Sequence, residues 1–420
     1  MSKVVFESEF LPITTVLVSL FTRVFLEEMS VNDTKPTTKR VSNDDLYRRS
    51  SQYRVWSFTS EELQRRRQDN NLNGTKVVKQ RVDDLEATTP ELQEVKESGV
   101  EPITVDEEAK IVAYYARKAS DVAHFFKLPT QARATAISFL KKFFLMHSVM
   151  EYHPLNVMYS CIFLAAKSEN SFIGIKTFTG AMPKLTPESI LENEYPILES
   201  LQFTLLCQHP FRPLYGFYLD VQAVLPKADK SRLGQGYDRA RKIVNESLFS
   251  DTCFLYTPPQ IALAALWEVD SVVVERYLAR KFGYKKKKDD GLASVKEDPS
   301  EEPTDVKEEN TEEETKLDVQ EEEIKAKTPE QHYNFIMTIV KKCSQHIHEA
   351  LNPSLEEAKI ISTKVHFCLE PKKLAKKLAK QRLTDAKTPE VSVSLEAESL
   401  KREPDSDVSL REDLKRAKID

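Results

Sequence analysis

Glycine is scarce in this chain, with 9 residues among 420 against 21 prolines. Phosphate loops, dinucleotide-binding turns and sheets of tight hairpins need glycine where the backbone turns left-handed or approaches a ligand, so the composition leaves an all-helical fold. Cysteine is as thin: Cys161, Cys207, Cys253, Cys343 and Cys368 are scattered, odd in number and never spaced C-x-x-C. That excludes a zinc ribbon or a disulfide framework and suits reduced thiols. Cys343, His346 and His348 come nearest to a metal cluster, and ordinary helix residues are the better reading, so no metal and no cofactor are expected. Long apolar runs are missing too. The stretch from Phe10 to Phe25 is broken by Pro12 and Arg23 and preceded by Glu7 and Glu9, which makes it a poor signal peptide and too short for a membrane span. A net charge of −5 gives no overall basic field for nucleic acid. No nucleophile elbow or phosphate loop is present to suggest an enzyme.

Charge is abundant, at 30% of residues, and it is unevenly spread. Residues 1–49 are polar and read as a flexible N-terminal extension, and residues 383–420 as a flexible tail. Residues 285–327 begin with Lys285 to Lys288 and turn acidic, with 14 Asp/Glu against 3 Lys between Lys296 and Glu323; a block that repels itself is expected to be a disordered insertion. Residues 50–100 read as an N-terminal helix and arm. Trp56 and Phe58 stand before a Thr59-x-x-Glu62 capping box that opens a short Arg-rich helix, a pattern that suggests aromatic docking. Residues 71–100 carry no sustained period and are expected to be a connecting arm.

The strongest signal is a helix with almost no polar face. After Pro154, Leu155, Val157 to Tyr159 and Cys161 to Ala166 cover every direction around a 3.6-residue period, so other helices must enclose them. The run ends in Lys167, a cation beside the negative end of the helix dipole. Around it, Thr104 and Glu107 cap a helix with Ile111, Val112, Tyr115, Ala119, Val122 and Phe126 on one stripe, and Thr130 starts another. Thr186-Pro187 opens a fourth, with Ile190, Leu191, Ile197, Leu198 and Leu201 expected to face inward, and Arg212-Pro213 a fifth, making one bundle of five. A second set follows from Leu233. Its apolar helix opens at Thr257-Pro258-Pro259, 104 positions after Pro154 (258 minus 154), so the unit reads as duplicated. Thr328-Pro329 and Ser354-x-x-Glu357 start further helices beyond the insertion. A basic peptide, KKLAKKLAKQR, then leads into the tail and is compatible with nuclear import.

The strings SSQYRVWSFTSEEL, SVMEYHP, FLAAKSE, LQFTL, HPFRPLYGFYLD and LYTPPQIAL resemble those of the cyclins, most closely their cyclin H branch, over roughly Ser50 to Phe282 and the helices after 328. The resemblance implies two consecutive five-helix cyclin-box repeats with additional N- and C-terminal helices: a first repeat at 101–226, a second at 227–284, and its end with the C-terminal helices at 328–382. It also implies a non-catalytic regulatory subunit that binds and activates the cyclin-dependent kinase of the TFIIH kinase module. That kinase phosphorylates the C-terminal repeat domain of RNA polymerase II in transcription initiation, with links to the cell cycle and DNA repair. A RING-finger assembly factor would be a direct partner and other TFIIH subunits indirect ones, in the nucleus, with no membrane and no direct sequence-specific nucleic-acid binding.

In cyclins a lysine ending the central helix and a glutamate on a neighbouring helix pair against the kinase's regulatory helix. The resemblance assigns these roles to Lys167 and Glu194. Pro196 stands inside the helix that carries Glu194, where proline costs about 3 kcal/mol unless the helix kinks. A buried arginine–aspartate pair of many cyclins maps to Arg133 and to the region of Lys141 or Lys142, where no aspartate stands. The rival implied by the same duplicated helical fold is a TFIIB-like promoter-binding factor, which normally carries the zinc ribbon excluded above.

Overall fold

The computed structural model describes residues 47–86, 100–182, 185–284, 328–374 and 377. The expected N-terminal extension, the insertion at 285–327 and the tail lie almost wholly outside these. Among the described residues there is no strand, and the helices below lie in one compact unit that begins at Arg49.

The first repeat comprises α3 (Val105–Phe125), α4 (Thr130–Met146), α5 (Pro154–Ser168), α6 (Ile175–Gly180) and α7 (Pro187–Ser200); α1 and α2 precede it and are described below. The apolar helix α5 is its axle. His153 caps it by accepting the Leu155 N–H at 3.3 Å, Pro154 fills the first turn, and Val157 to Ala166 are all buried. It packs against α3, α4 and α7. Thr104 and Glu107 exchange capping hydrogen bonds of 3.2 and 3.0 Å at the start of α3.

Two features of this repeat differ from the sequence expectation. The short helix α6 carries no readable period, yet its Phe178 is fully buried between Phe126, Tyr159 and Phe163, with ring centroids at 4.8, 6.3 and 5.9 Å. Leu191, expected inside, is 53% exposed, because the buried stripe of α7 runs through Ile190 and Ile197 to Leu201 just past its end.

The second repeat is built from α8 (Phe211–Val224), α9 (Lys230–Ser247), the one-turn α10 (Thr252–Leu255), α11 (Pro258–Val269), α12 (Ser271–Lys281) and, after the insertion, α13 (Pro329–His348). Helix α8 was expected to close the first bundle, which placed the boundary at 226. It packs instead on α9, α11 and α12, with Leu214 among Ala240, Val244, Ala262 and Ala265, and Val221 among Ile261, Leu263 and Val274. An apolar stripe shows which face is buried and not what covers it. The link between the repeats therefore lies before Phe211. Pro258 and the Thr257–Gln260 capping box start α11, whose Ile261 to Ala265 are buried like the core of α5.

The N-terminal helices are α1 (Ser51–Trp56) and α2 (Ser60–Glu86), and α14 (Leu355–Leu369) closes the described chain against α3. The expected arm beyond residue 71 is thus helical as far as Glu86. Periodicity missed it because α2 docks through polar groups between its two widely spaced buried apolar anchors, Leu63 and Val78. Asn70 donates to the Phe144 carbonyl at 3.3 Å, and Asn71 to the Ile103 carbonyl and the Glu108 carboxylate, each at 2.9 Å. Arg81 reaches the Met150 carbonyl at 2.6 Å and the Cys368 carbonyl at 3.4 Å, tying α2 to the turn before α5 and to the end of α14. Burial pushes the Glu108 carboxyl up, although Asn71 and the Val149 N–H at 2.7 Å both donate to it.

Gly74 sits where α2 crosses the buried Ser148. An added Cβ would lie 2.4 Å from Ser148 Oγ and 2.5 Å from its Cβ. Helix propensity favours alanine over glycine by about 1 kcal/mol, whereas overpacking typically costs about 1–3 kcal/mol. Gly74→Ala is expected to lower the melting temperature; a higher one would mean that α2 is free to slide off Ser148.

Arg67 and Asp251 form a two-pronged pair at 2.8 and 2.7 Å between α2 and the start of α10. Burial works against the Asp251 carboxylate, but the Arg67 guanidinium and the nearby Lys141 ammonium outweigh it and hold the carboxyl below its ordinary 3.8. A depressed carboxyl stabilises the fold above the unfolded value and loses that contribution as pH falls through the folded one. The stability difference between the native chain and Asp251→Asn is therefore expected to be full at pH 7 and to shrink below pH about 4. Denaturant unfolding at both pH values checks it.

Candidate functional site

Lys167 occupies the last turn of α5 and Glu194 the middle of α7. Their side chains meet, Lys167 Nζ against Glu194 Oε1. Helix α7 runs unbroken through Pro196, so the proline leaves Glu194 in place. The Lys167 ammonium also lies 5.0 Å from the centre of the Phe163 ring. Its side chain is 36% exposed and that of Glu194 18%, enough for the lysine to present protons outward while the glutamate holds it. Leu191 and Tyr195 flank the pair on the same face of α7, at 53% and 65% exposure. Two large apolar side chains beside a part-buried ion pair make a surface suited to a partner helix.

A second group lies at this end of α5. The hydroxyl of the fully buried Thr135 donates to Glu169 Oε1 at 2.7 Å, while its oxygen lies 2.9 Å from His209 Nε2. Burial drives the His209 imidazole down to about 3, so it is neutral at physiological pH. Because the threonine proton is committed to the carboxylate, Nε2 carries the hydrogen and donates to Thr135. This chain of bonds joins the tip of α5, two residues past Lys167, to the link between the repeats. No spacing rule reveals it, since the three residues lie far apart in sequence.

Trp56 and Phe58 turn inward onto their own chain. Trp56 is 1% exposed and donates from Nε1 to Thr204 Oγ1 at 2.8 Å, with the Lys142 ammonium 5.2 Å over its ring. The Phe58 N–H donates to the Phe254 carbonyl at 2.9 Å, and the two rings lie 6.1 Å apart. Gln52 exchanges bonds of 2.6 and 3.0 Å with the Gln208 backbone. The α1 segment thus clamps the inter-repeat link and α10 of the second repeat. The internal pair at Arg133 takes another form: Arg133 donates to Asn245 Oδ1 at 2.8 Å, and the buried Lys141 reaches the carbonyls of Leu248 and Ser250. Cys343 is buried, and its thiol is pushed up to about 12. Among the described residues, no group of His, Cys, Asp or Glu is placed to hold a metal, and no helix is long and apolar enough to cross a membrane.

Residues 117–206 match the cyclin N-terminal domain and residues 209–348 the cyclin C-terminal domain, meeting at the inter-repeat link. Cyclin CCL1 of Saccharomyces cerevisiae is 38% identical over 360 residues, covering 85% of this chain and 89% of that protein. The chain belongs to the cyclin family. Cyclin-H of Xenopus laevis is 32% identical over 231 residues, 53% of this chain and 67% of that one. A chain of the yeast TFIIK (Kin28/Ccl1/Tfb3) complex, 34% identical, aligns over 72% of this cyclin and 100% of its own length with a TM-score of 0.51. One from the CAK complex of Chaetomium thermophilum bound to ATP-gamma-S covers 85% and 99% with a TM-score of 0.61, and at 24% identity it speaks to fold alone. In this cyclin, Lys167, Glu194, Leu191 and Tyr195 all belong to the N-terminal domain.

Proposed function

We propose that this chain is the regulatory cyclin subunit of a TFIIH-type kinase module, binding and activating a cyclin-dependent kinase that phosphorylates the RNA polymerase II C-terminal repeat domain. The observation that carries the reading is the Lys167–Glu194 pair at an exposed, apolar-flanked end of α5, in a chain so similar to cyclin CCL1. A kinase needs its regulatory-helix glutamate paired with its strand lysine before metal and phosphates align. A partner that binds the aligned state better shifts the population toward it, and the cyclin performs no chemistry itself. Lys167 has three donors and Glu194 uses one, which leaves the others for carbonyls at the end of the kinase helix. A RING-finger subunit like Tfb3 of the yeast complex completes the module, and its work places the chain in the nucleus. The TFIIB-like alternative is not favoured by relatives that are cyclins over most of their length.

The test is reconstitution. The kinase partner alone, given a peptide of the polymerase repeat, is expected to be nearly inactive, and adding this chain to raise its rate by orders of magnitude. Unchanged activity, or binding without stimulation, would refute the assignment.

A further inference from the structure

A groove in the second repeat serves none of the roles above. It lies between α8, α9, α11 and α12, encloses about 340 Å³, and has Val221, Leu266, Val269 and Val273 among its walls. Its α9 wall presents Arg232, Gly236 and Arg239, spaced i, i+4 and i+7 so that all three share one helix face. Glycine is disfavoured inside a helix, and nothing among the described residues demands it at 236. An added Cβ would meet nothing nearer than Val269 Cγ1 at 3.9 Å, an ordinary contact. By contrast with Gly74, the absent side chain lets no other part of the chain approach; it leaves the groove open. The rim is cationic. Among the groove's lining residues Arg232 and Arg239 stand against the single acid Asp270, in a chain that is acidic overall. Asp270 pairs with Arg232 at 2.6 Å and caps α12 through the Val273 N–H at 3.2 Å. Arg239, at the other end, is exposed, with its Nε donating to the Gln235 carbonyl at 3.4 Å.

We propose that this groove receives an acidic amphipathic helix of a partner protein. One aliphatic or aromatic side chain enters over Gly236, and carboxylates about one turn, roughly 5.4 Å, along the helix face Arg239. The apolar walls select the inserted side chain and the cationic end selects the charge of its neighbours, so neither a purely apolar nor a basic helix fits.

The experiment uses the full chain and a fluorescein-labelled peptide of leucine and glutamate at helical spacing, with lysine in place of glutamate as its control. Fluorescence anisotropy is expected to show saturable binding of the acidic peptide and none of the basic one. Gly236→Leu fills the groove from within and is expected to weaken binding at least tenfold without lowering the melting temperature. Arg239→Glu, a surface change, is expected to weaken it several-fold and decides alone if Gly236→Leu destabilises the fold. Absence of saturable binding, equal binding of the basic peptide, or affinity unmoved by Arg239→Glu would overturn the proposal. So would displacement of the peptide by a single-stranded oligonucleotide in an Arg239-dependent way, which would assign the rim to nucleic acid.

Discussion

Trp56→Ala is expected to cost roughly 3–5 kcal/mol of folding stability, the range for emptying a fully buried aromatic site. The indole is 1% exposed and packs in the first-repeat core cluster although it comes from outside the repeat. Its removal leaves a void that α1, six residues long and anchored otherwise by the Gln52–Gln208 bonds, cannot close. Loss of the ring also uncovers the Lys142 ammonium below it. Trp56→Phe should recover much of the loss: Thr204 keeps its own bond to the Leu201 carbonyl at 2.6 Å, so no hydroxyl is stranded when the indole N–H goes. Urea unfolding of the three chains checks the order. A loss under about 1 kcal/mol for Trp56→Ala would mean that α1 detaches freely from the link.

Lys167→Ala is expected to act on partner binding and hardly at all on folding. As a complement to the α5 dipole the ammonium is worth about 0.3–1 kcal/mol, and a part-exposed ion pair adds about 0–1 kcal/mol. In a complex the same pair would be desolvated between Leu191, Tyr195 and the kinase helix. Truncating one partner of a buried charged contact then costs about 2–5 kcal/mol, which is roughly thirty-fold or more in affinity. Kinase affinity measured beside thermal melts separates the two. Equal losses in both would return Lys167 to a structural role.

Much of the fold can be read from the sequence because its core helices announce themselves twice, by apolar period and by caps. Thr104, Thr186, Thr257, Thr328 and Ser354 all start helices with capping boxes, and Pro154 and Pro258 open the two all-apolar axles. What period and caps leave out is contact between distant segments. Helix α2 buries Asn70, Asn71 and Gly74 against backbone and Ser148, a polar interface that looks like an arm in sequence. Helix α8 has a clear stripe, but no local signal says that it covers the second repeat rather than the first. At the candidate site, Lys167 and Glu194 came from family resemblance, and their contact is a finding of the structure. Tyr195 and the Thr135–His209–Glu169 chain were not legible at all, because exposure and buried hydrogen bonds depend on tertiary placement.

The most direct test of the account is a double-mutant cycle on kinase binding and activation, with Lys167→Ala, Glu194→Ala and the double variant each measured beside its melting temperature. On the proposal that Glu194 orients Lys167, the double variant should lose much less affinity than the sum of the singles, leaving a coupling of about 0.5–3 kcal/mol, with all four chains melting together. Additive losses, or full activation by Lys167→Ala, would contradict the claim that this pair is where the cyclin engages its kinase.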